Sequence, residues 1–323
     1  LPLHTPMSKR KQHGSSSEQP KKHKSSKQSS KHQLSLLDQL PSRESTLCQH
    51  ALVHDLSPAL KQLIKQWLLT SFPHSPEIAT VLMEHVAVHN PTHLRVKELF
   101  ETIEVVKHVG NHIQELKPKP KVVYDLACGH GLGGVLLGYR FPSLQIVCVD
   151  REKRDCFASY MEAFKVHGEG LDLSNNVTFK EGEVQGNTIA GEVVQGNSYH
   201  MCIHGCNEMS VIALDIAKAT QSGYTVVPCC IRDNVFGVRT RSSGGRWSFG
   251  SDDIRYAVQV GYLGGKVCCD RIATIDRRIT NRNLVVLGDF IATIEDEDVA
   301  ANGVDATVQQ PAVVPLPIVP AKE

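Results

Sequence analysis

Long apolar runs are what this sequence lacks most plainly. None of its 323 residues lies in a run approaching the roughly 18–20 apolar residues that a membrane-spanning helix needs. The N-terminus has no apolar h-region, so no secretory signal is expected, and the ten cysteines read as reduced thiols of an intracellular protein. No two cysteines stand in C-x-x-C spacing, which removes the commonest pattern for structural zinc. Acid is scarce in one place only. Residues 1–32 carry eight Lys/Arg against the single acid Glu18, so the formal charge of +1 hides a remainder of 27 Lys/Arg against 33 Asp/Glu. The sequence opens on Leu1, which leaves Met7 as one candidate start. What is present suits a globular fold: 41% hydrophobic and 21% charged residues are enough for a full core plus appendages.

Composition and periodicity divide the chain into four regions. Residues 1–33 are Ser, Lys, His and Gln with little to bury, so they are expected to be a disordered basic tail. Two clusters in it, Lys9-Arg10-Lys11 and Lys21-Lys22-His23-Lys24, are spaced as in a nuclear-targeting or nucleic-acid-contacting arm, which favours a nuclear over a cytoplasmic location. Residues 34–117 are helical, a cap on the next domain or a small recognition module. Three starts are expected there, Ser57-Pro58, Ser75-Pro76 and Asn90-Pro91, each with a capping side chain before a proline at the first helical position. His74, His85, His89 and His93 share no spacing with a Cys or carboxylate and read as scattered cap histidines. Residues 118–294 form an α/β domain, and residues 295–323, acidic then Val/Pro-rich, a second disordered tail.

Within 118–294, strand and helix signals alternate as crossover connections of a parallel sheet require. Val122-Val-Tyr-Asp-Leu126 is a buried strand, Ala127–Gly131 a tight turn, and the apolar stretch after it a helix. Gln145–Asp150, Val177–Phe179, Tyr199–His204 and Gly223–Pro228 are further strands, with helices over Met209–Gln221 and Asp252–Leu263 and late strands near Val267–Ile275 and Leu284–Ile294. Glu183-Val-Gln-Gly-Asn187 and Glu192-Val-Val-Gln-Gly-Asn197 repeat one another in a polar connection to which no function is assigned.

In an open parallel sheet the ligand sits beyond the carboxyl ends of the strands, where strand order reverses. Asp125, Asp150 and Glu183 lie at or near such ends. Gly129-His-Gly-Leu-Gly-Gly134 satisfies G-x-G-x-x-G, and Asp150 stands at the distance of a ribose-binding acid, so an NAD-dependent oxidoreductase is one reading. Asp125, four residues before Gly129, argues otherwise: a carboxylate there repels a pyrophosphate and suits a cationic sulfonium cofactor.

Asp125-Leu-Ala-Cys-Gly-His-Gly131 resembles the first motif of the class I S-adenosylmethionine-dependent methyltransferases, and the similarity runs on through Asp150. His204-Gly-Cys206-Asn-Glu-Met-Ser210, Val227-Pro-Cys-Cys230 and Arg278-Ile-Thr-Asn-Arg-Asn283 resemble one branch of that family, which includes a tRNA ribose methyltransferase and methyltransferase-like domain proteins. The resemblance implies a Rossmann-like seven-stranded α/β sheet with an N-terminal helical extension, an enzyme activity, and S-adenosyl-L-methionine as cofactor. It implies that Asp125, Ala127, Cys128, Gly129 and Gly131 hold the methionine end, that Asp150 with Arg151 meets the ribose, and that Glu183 lies near the adenine. His204, Cys206 and Asn207 line the methyl-transfer face in that reading, with His204 the candidate base where the acceptor carries a proton.

Cys202, His204, Cys206, Cys229 and Cys230 sit at adjacent strand ends, but without zinc-ligand spacing they read as small apolar residues, and no metal is expected. Nine Arg and one Lys against five Asp fall between Arg232 and Arg282. Arg232, Arg239, Arg241 and Arg246 mark a Gly/Ser-rich loop suited to phosphate, which makes RNA the leading acceptor class, with protein second. A methyltransferase fold kept only as a binding module is the non-enzymatic alternative. No membrane partner is expected.

Overall fold

The computed structural model describes residues 35–168, 172–184, 197–205, 208–230, 252–267 and 269–290. The two tails, most of the internal repetition, Cys206, Asn207 and the loop with Arg232, Arg239, Arg241 and Arg246 lie outside the described residues.

A four-residue helix, α1 (Leu36–Gln39), precedes α2 (Pro58–Ser71), where the Ser57 hydroxyl accepts from the Leu60 amide at 3.3 Å and Pro58 stands at the first turn, as the sequence predicts. The other two starts differ. At Ser75-Pro76 no side chain caps the helix, and the first amides bond instead to the Ser75 and Pro76 carbonyls. That helix, α3, runs over residues 77–89 with a π-helical stretch at Val81–Val86. Asn90-Pro91 opens only the 3-10 turn Pro91–His93. The long helix α4 (Val96–Glu115) begins after Arg95, whose extended backbone pairs with Leu52 while the Val96 amide bonds to Ala51 O at 2.8 Å. Tertiary pairing sets this start in place of a side-chain cap, with Glu98 in the first turn complementing the positive helix end.

α4 is buried nearly all round. Val96, Leu99, Phe100, Ile103 and Val106 recur at helical spacing, and Val105 and Val109 make a second apolar stripe. Trp67 of α2 stacks on Phe100 with ring centroids 4.2 Å apart. Each such aliphatic side chain taken out of water contributes about 1.5–3 kcal/mol.

The sheet has seven strands: β1 (Val122–Leu126), β2 (Gln145–Asp150), β3 (Val177–Glu181), β4 (Ser198–Ile203), β5 (Gly223–Val227), β6 (Arg271–Thr274) and β7 (Leu284–Asp289). Their order is β3-β2-β1-β4-β5-β7-β6, with β7 antiparallel to both neighbours and the remaining pairs parallel. This is the seven-stranded Rossmann-like α/β sheet expected from the sequence. Crossover helices are α5 (Leu132–Arg140), α6 (Asp155–His167), α7 (Met209–Ala219) and α8 (Asp252–Val267). α8 runs a turn past the expected end at Leu263. Buried Gly264 packs so close to Cys269 that a Cβ would lie 3.0 Å from its sulfur, and β6 starts only at Arg271.

Strand side chains alternate between two cores. Val123, Ile146, Cys148, Tyr199 and Met201 join α4, α5 and α6 on one face, while Tyr124, Leu126, Val149, Cys202 and Val226 join α7 and α8 on the other. Helices covering both faces explain why the central strands are buried nearly throughout. α4, read from sequence as part of a cap, belongs to the same layer as α5. Strand order reverses between β1 and β4, so the crevice for a ligand opens above their carboxyl ends. No helix among the described residues is long and apolar enough to cross a membrane.

Candidate functional site

A cleft of about 640 Å³ opens at that reversal, bounded by the Ala127–Gly131 turn, Asp150 and Glu183 at neighbouring strand ends, His204 after β4 and Glu98 from α4. The turn is held in a strained conformation. Gly129 (φ 58°) and Gly131 (φ 75°) take the left-handed region that glycine tolerates, whereas Ala127 takes it too (φ 55°) at about 1–2 kcal/mol. A Cβ on Gly129 would meet nothing within 4 Å, so its backbone faces open space; one on Gly131 would strike Phe157 at 2.6 Å. Across the crevice His204 is a second non-glycine residue with positive φ (56°), fixed by its amide on Val227 O at 3.0 Å and by the Cys229 thiol on its carbonyl at 3.5 Å. Such strain collects where a site over-determines the backbone.

Asp125 sits beneath the turn, one residue before the end of β1, and is 2% exposed. Its Oδ2 accepts from the Gly134 amide at the start of α5 (3.0 Å), and its Oδ1 is buried with no hydrogen-bond partner. Burial raises its carboxyl to about 7, against the pull of the Gly134 amide and with a smaller push from the Asp150 charge. Asp150 braces the turn instead: Oδ2 accepts from the Gly129 amide and Oδ1 from its neighbour Arg151, both at 2.8 Å. Arg151 reaches the exposed Glu183 at 3.4 Å across the mouth. The Cys128 thiol is pushed far up by the Cys148 thiol and by burial, so it stays protonated and is no nucleophile.

The structure therefore brings Asp125, Ala127, Cys128, Gly129, Asp150, Arg151, Glu183 and His204 around one cleft, while Gly131, the last residue of the turn, is not among the residues that line it. Cys206 and Asn207 lie outside the described residues. Among the lining residues that were not anticipated are Glu98, Thr102, His130, Arg154 and Glu208. Behind His204, outside the lining itself, stands Glu101, also not anticipated, whose Oε2 is 3.2 Å from His204 Nε2 although the ring N–H is not aligned with it. Burial works to raise the Glu101 carboxyl, and His204 and Lys97 more than offset it, so it lies below the ordinary range and is ionised. A sequence cue existed: Glu101 heads the stripe Val105, Val109, His112 at helical spacing, an acid on an apolar face.

The lining carries five acids (Glu98, Asp125, Asp150, Glu183, Glu208) against two arginines (Arg151, Arg154). An acceptor left unpaired at its floor and a negative wall fit a cofactor bearing an ammonium and a sulfonium, and oppose a pyrophosphate. Away from this cleft, His112, Asp270 and Asp289 bring ligand-type atoms within 4.8 Å of one another near the amino ends of β4 and β5; beside His204, the Cys229 and Cys230 sulfurs lie 3.5 Å apart.

Residues 95–234 match a protein-family profile described as "Methyltransferase domain", a segment that begins at α4 and includes every residue of the cleft. Over 76 residues the chain is 34% identical to ribosomal RNA small subunit methyltransferase G of Bordetella avium (strain 197N), covering 23% of this chain and 33% of that protein. The match thus spans a third of the relative's length. Among solved structures, an O-methyltransferase family protein from Burkholderia thailandensis is 13% identical over 71% of each chain with a TM-score of 0.33. The methyltransferase domain of bacterial CtHen1-CN is 14% identical, covering 58% of this chain and 99% of that one, with a TM-score of 0.37. At such scores the strand order, not the superposition, carries the fold. The similarity to a methyltransferase domain thus covers residues 95–234, less than half of the 323-residue chain.

Proposed function

We propose that the protein is an S-adenosylmethionine-dependent methyltransferase whose acceptor is RNA. The observation that carries the cofactor half is the unpartnered, buried Asp125 Oδ1 at the floor of an acid-lined cleft. Asp125 and the Ala127–Gly131 backbone would hold the cationic methionine end, Asp150 and Arg151 the ribose, and Glu183 the adenine side. When bound, S-adenosylmethionine supplies a methyl carbon to an acceptor lone pair, and the carbon–sulfur pair returns to sulfur as a neutral thioether. The chain's own share is positioning: a rigid turn, fixed strand ends and a cleft of one sign. An NAD-dependent oxidoreductase is disfavoured by the same lining, since the acids around the cleft outnumber its arginines and oppose a pyrophosphate.

RNA is supported by the arginines 232, 239, 241 and 246 and by the 76-residue similarity to a protein named as a ribosomal RNA methyltransferase. The motifs around Cys206 and Cys229-Cys230 favour the branch that includes a tRNA ribose methyltransferase. Incubation with labelled methyl donor and separately fractionated RNA and protein tests the acceptor. Label in an RNA fraction, lost on Asp125→Ala, supports the reading. Label confined to protein replaces the acceptor, and a protein that binds donor but labels nothing is a binding module.

A further inference from the structure

Glu101 and His204 come from parts of the chain 103 positions apart, yet they meet at the wall of the cleft. We infer that Glu101 is a positioning residue for methyl transfer: it holds His204 with its proton on Nε2, so that Nδ1 presents a lone pair to the acceptor. The inference rests on the methyltransferase reading above.

Two histidines line the cleft, and their partners give them opposite roles. His130 Nδ1 accepts from the Leu132 amide at 3.1 Å, so its remaining proton is on Nε2, which faces Glu98 3.9 Å away. With Nδ1 committed to the backbone, neutral His130 has no lone pair to spare and serves only as a donor. His204 is the reverse case. Its buried Nε2 lies 3.2 Å from Glu101 Oε2, off the line of a hydrogen bond but within reach of the carboxylate's charge, which favours the Nε2–H tautomer, and no hydrogen bond among the described residues engages Nδ1. The side chain is 30% exposed, so the ring edge away from Glu101 is open to the cleft.

Glu101 is built for this task. Its side chain is 2% exposed, and burying an ionised carboxylate is costly unless it is paired. Lys97, one turn earlier on α4, takes Oε1, which leaves Oε2 for the imidazole. The three groups together hold one negative and one positive charge while His204 is neutral. When the acceptor forms its bond to the methyl carbon, its proton passes to Nδ1, and the imidazolium so made lies against a carboxylate. That proton then leaves to solvent. The acceptor is consequently an atom that bears a proton before reaction, and the N-terminal helix α4 supplies part of the chemistry.

The test uses the full chain with Glu101→Gln, Glu101→Asp, His204→Asn and the double variant Glu101→Gln/His204→Asn. Imidazole nitrogen NMR on the free protein is expected to show the His204 proton on Nε2 in the wild type and a tautomer mixture in Glu101→Gln. With labelled donor and fractionated RNA, Glu101→Gln is expected to lower turnover about 100-fold, the low end of what a positioned base contributes. S-adenosylhomocysteine affinity is expected to stay within about twofold, and Glu101→Asp to recover part of the rate. In the His204→Asn background Glu101→Gln is expected to cost nothing further, because the two act as one unit. An equal loss in that background, a loss that tracks cofactor affinity, or a wild-type proton on Nδ1 overturns the inference. Should the wild type label no RNA, the acceptor reading fails by itself and the tautomer measurement still decides the role of Glu101.

Discussion

Cofactor affinity should depend on pH through Asp125, and the structure gives both the sign and the size. The perturbation is a change from about pH 6 to about pH 8, in the wild type and in Asp125→Asn. In the free protein the Asp125 carboxyl is raised to about 7 by burial. A carboxyl with that value is about one-tenth ionised at pH 6 and about nine-tenths ionised at pH 8. Only the ionised form pairs with an ammonium, so apparent affinity for S-adenosylmethionine should rise about tenfold over the interval and level off above it. Asp125→Asn removes the titrating group, flattens the rise, and at the upper pH weakens binding by the worth of a charge-assisted hydrogen bond, about 1.5–3 kcal/mol. Isothermal titration calorimetry at four pH values in matched ionic strength reads all three quantities. The variant serves as its own control for titration of the ligand and of the cleft histidines. A wild-type profile that is flat, or that falls as pH rises, refutes the assignment of Asp125 as the ammonium partner.

Packing and burial set three further outcomes. Gly134→Ala places a Cβ 2.4 Å from Cys148 Sγ, so a loss of about 1–3 kcal/mol is expected in chemical denaturation; no measurable loss would mean that the α5–sheet contact is loose. Leu99→Ala empties a fully buried position of α4 and should cost about 2–5 kcal/mol, a value that an α4 merely resting on the domain would not give. His200 is fully buried and its imidazole is lowered to about 3 by desolvation. Its folded value lies below its unfolded one, so between about pH 6.5 and pH 3 the unfolded chain binds the extra proton and stability falls with acid. The urea midpoint of His200→Gln should therefore gain on the wild type as pH drops from about 7 to 5, and a constant difference would show that the ring is not held neutral.

The sheet was legible because β1, β2, β4 and β5 are short apolar runs cut off by glycine, proline or an acid, and burial on both faces leaves that mark in any sequence. The glycine turn was legible with it, since Asp125 and Asp150 flank it at strand ends. Other features were not. The start of α4 at Val96 is set by pairing of Arg95 with Leu52, a contact 43 positions away that no local residue announces. Asn90-Pro91 carries a helix-start signature that the structure uses for a single 3-10 turn. Glu101 is hard to read for the same reason: its partner His204 is distant in sequence, and only the packing of α4 against β4 brings the two together. The unpaired Asp125 Oδ1 likewise appears only once Gly134 is seen to take the other oxygen. Residue types at strand ends could be read; which atoms were already occupied could not.

The most direct test of a sulfonium-cofactor cleft is a paired titration of the full chain with S-adenosylhomocysteine and with NAD under identical conditions. Saturable binding of S-adenosylhomocysteine, weakened by Asp125→Asn, with no NAD binding at the same concentrations, is the predicted result. Binding of NAD alone, indifferent to Asp125, would contradict it.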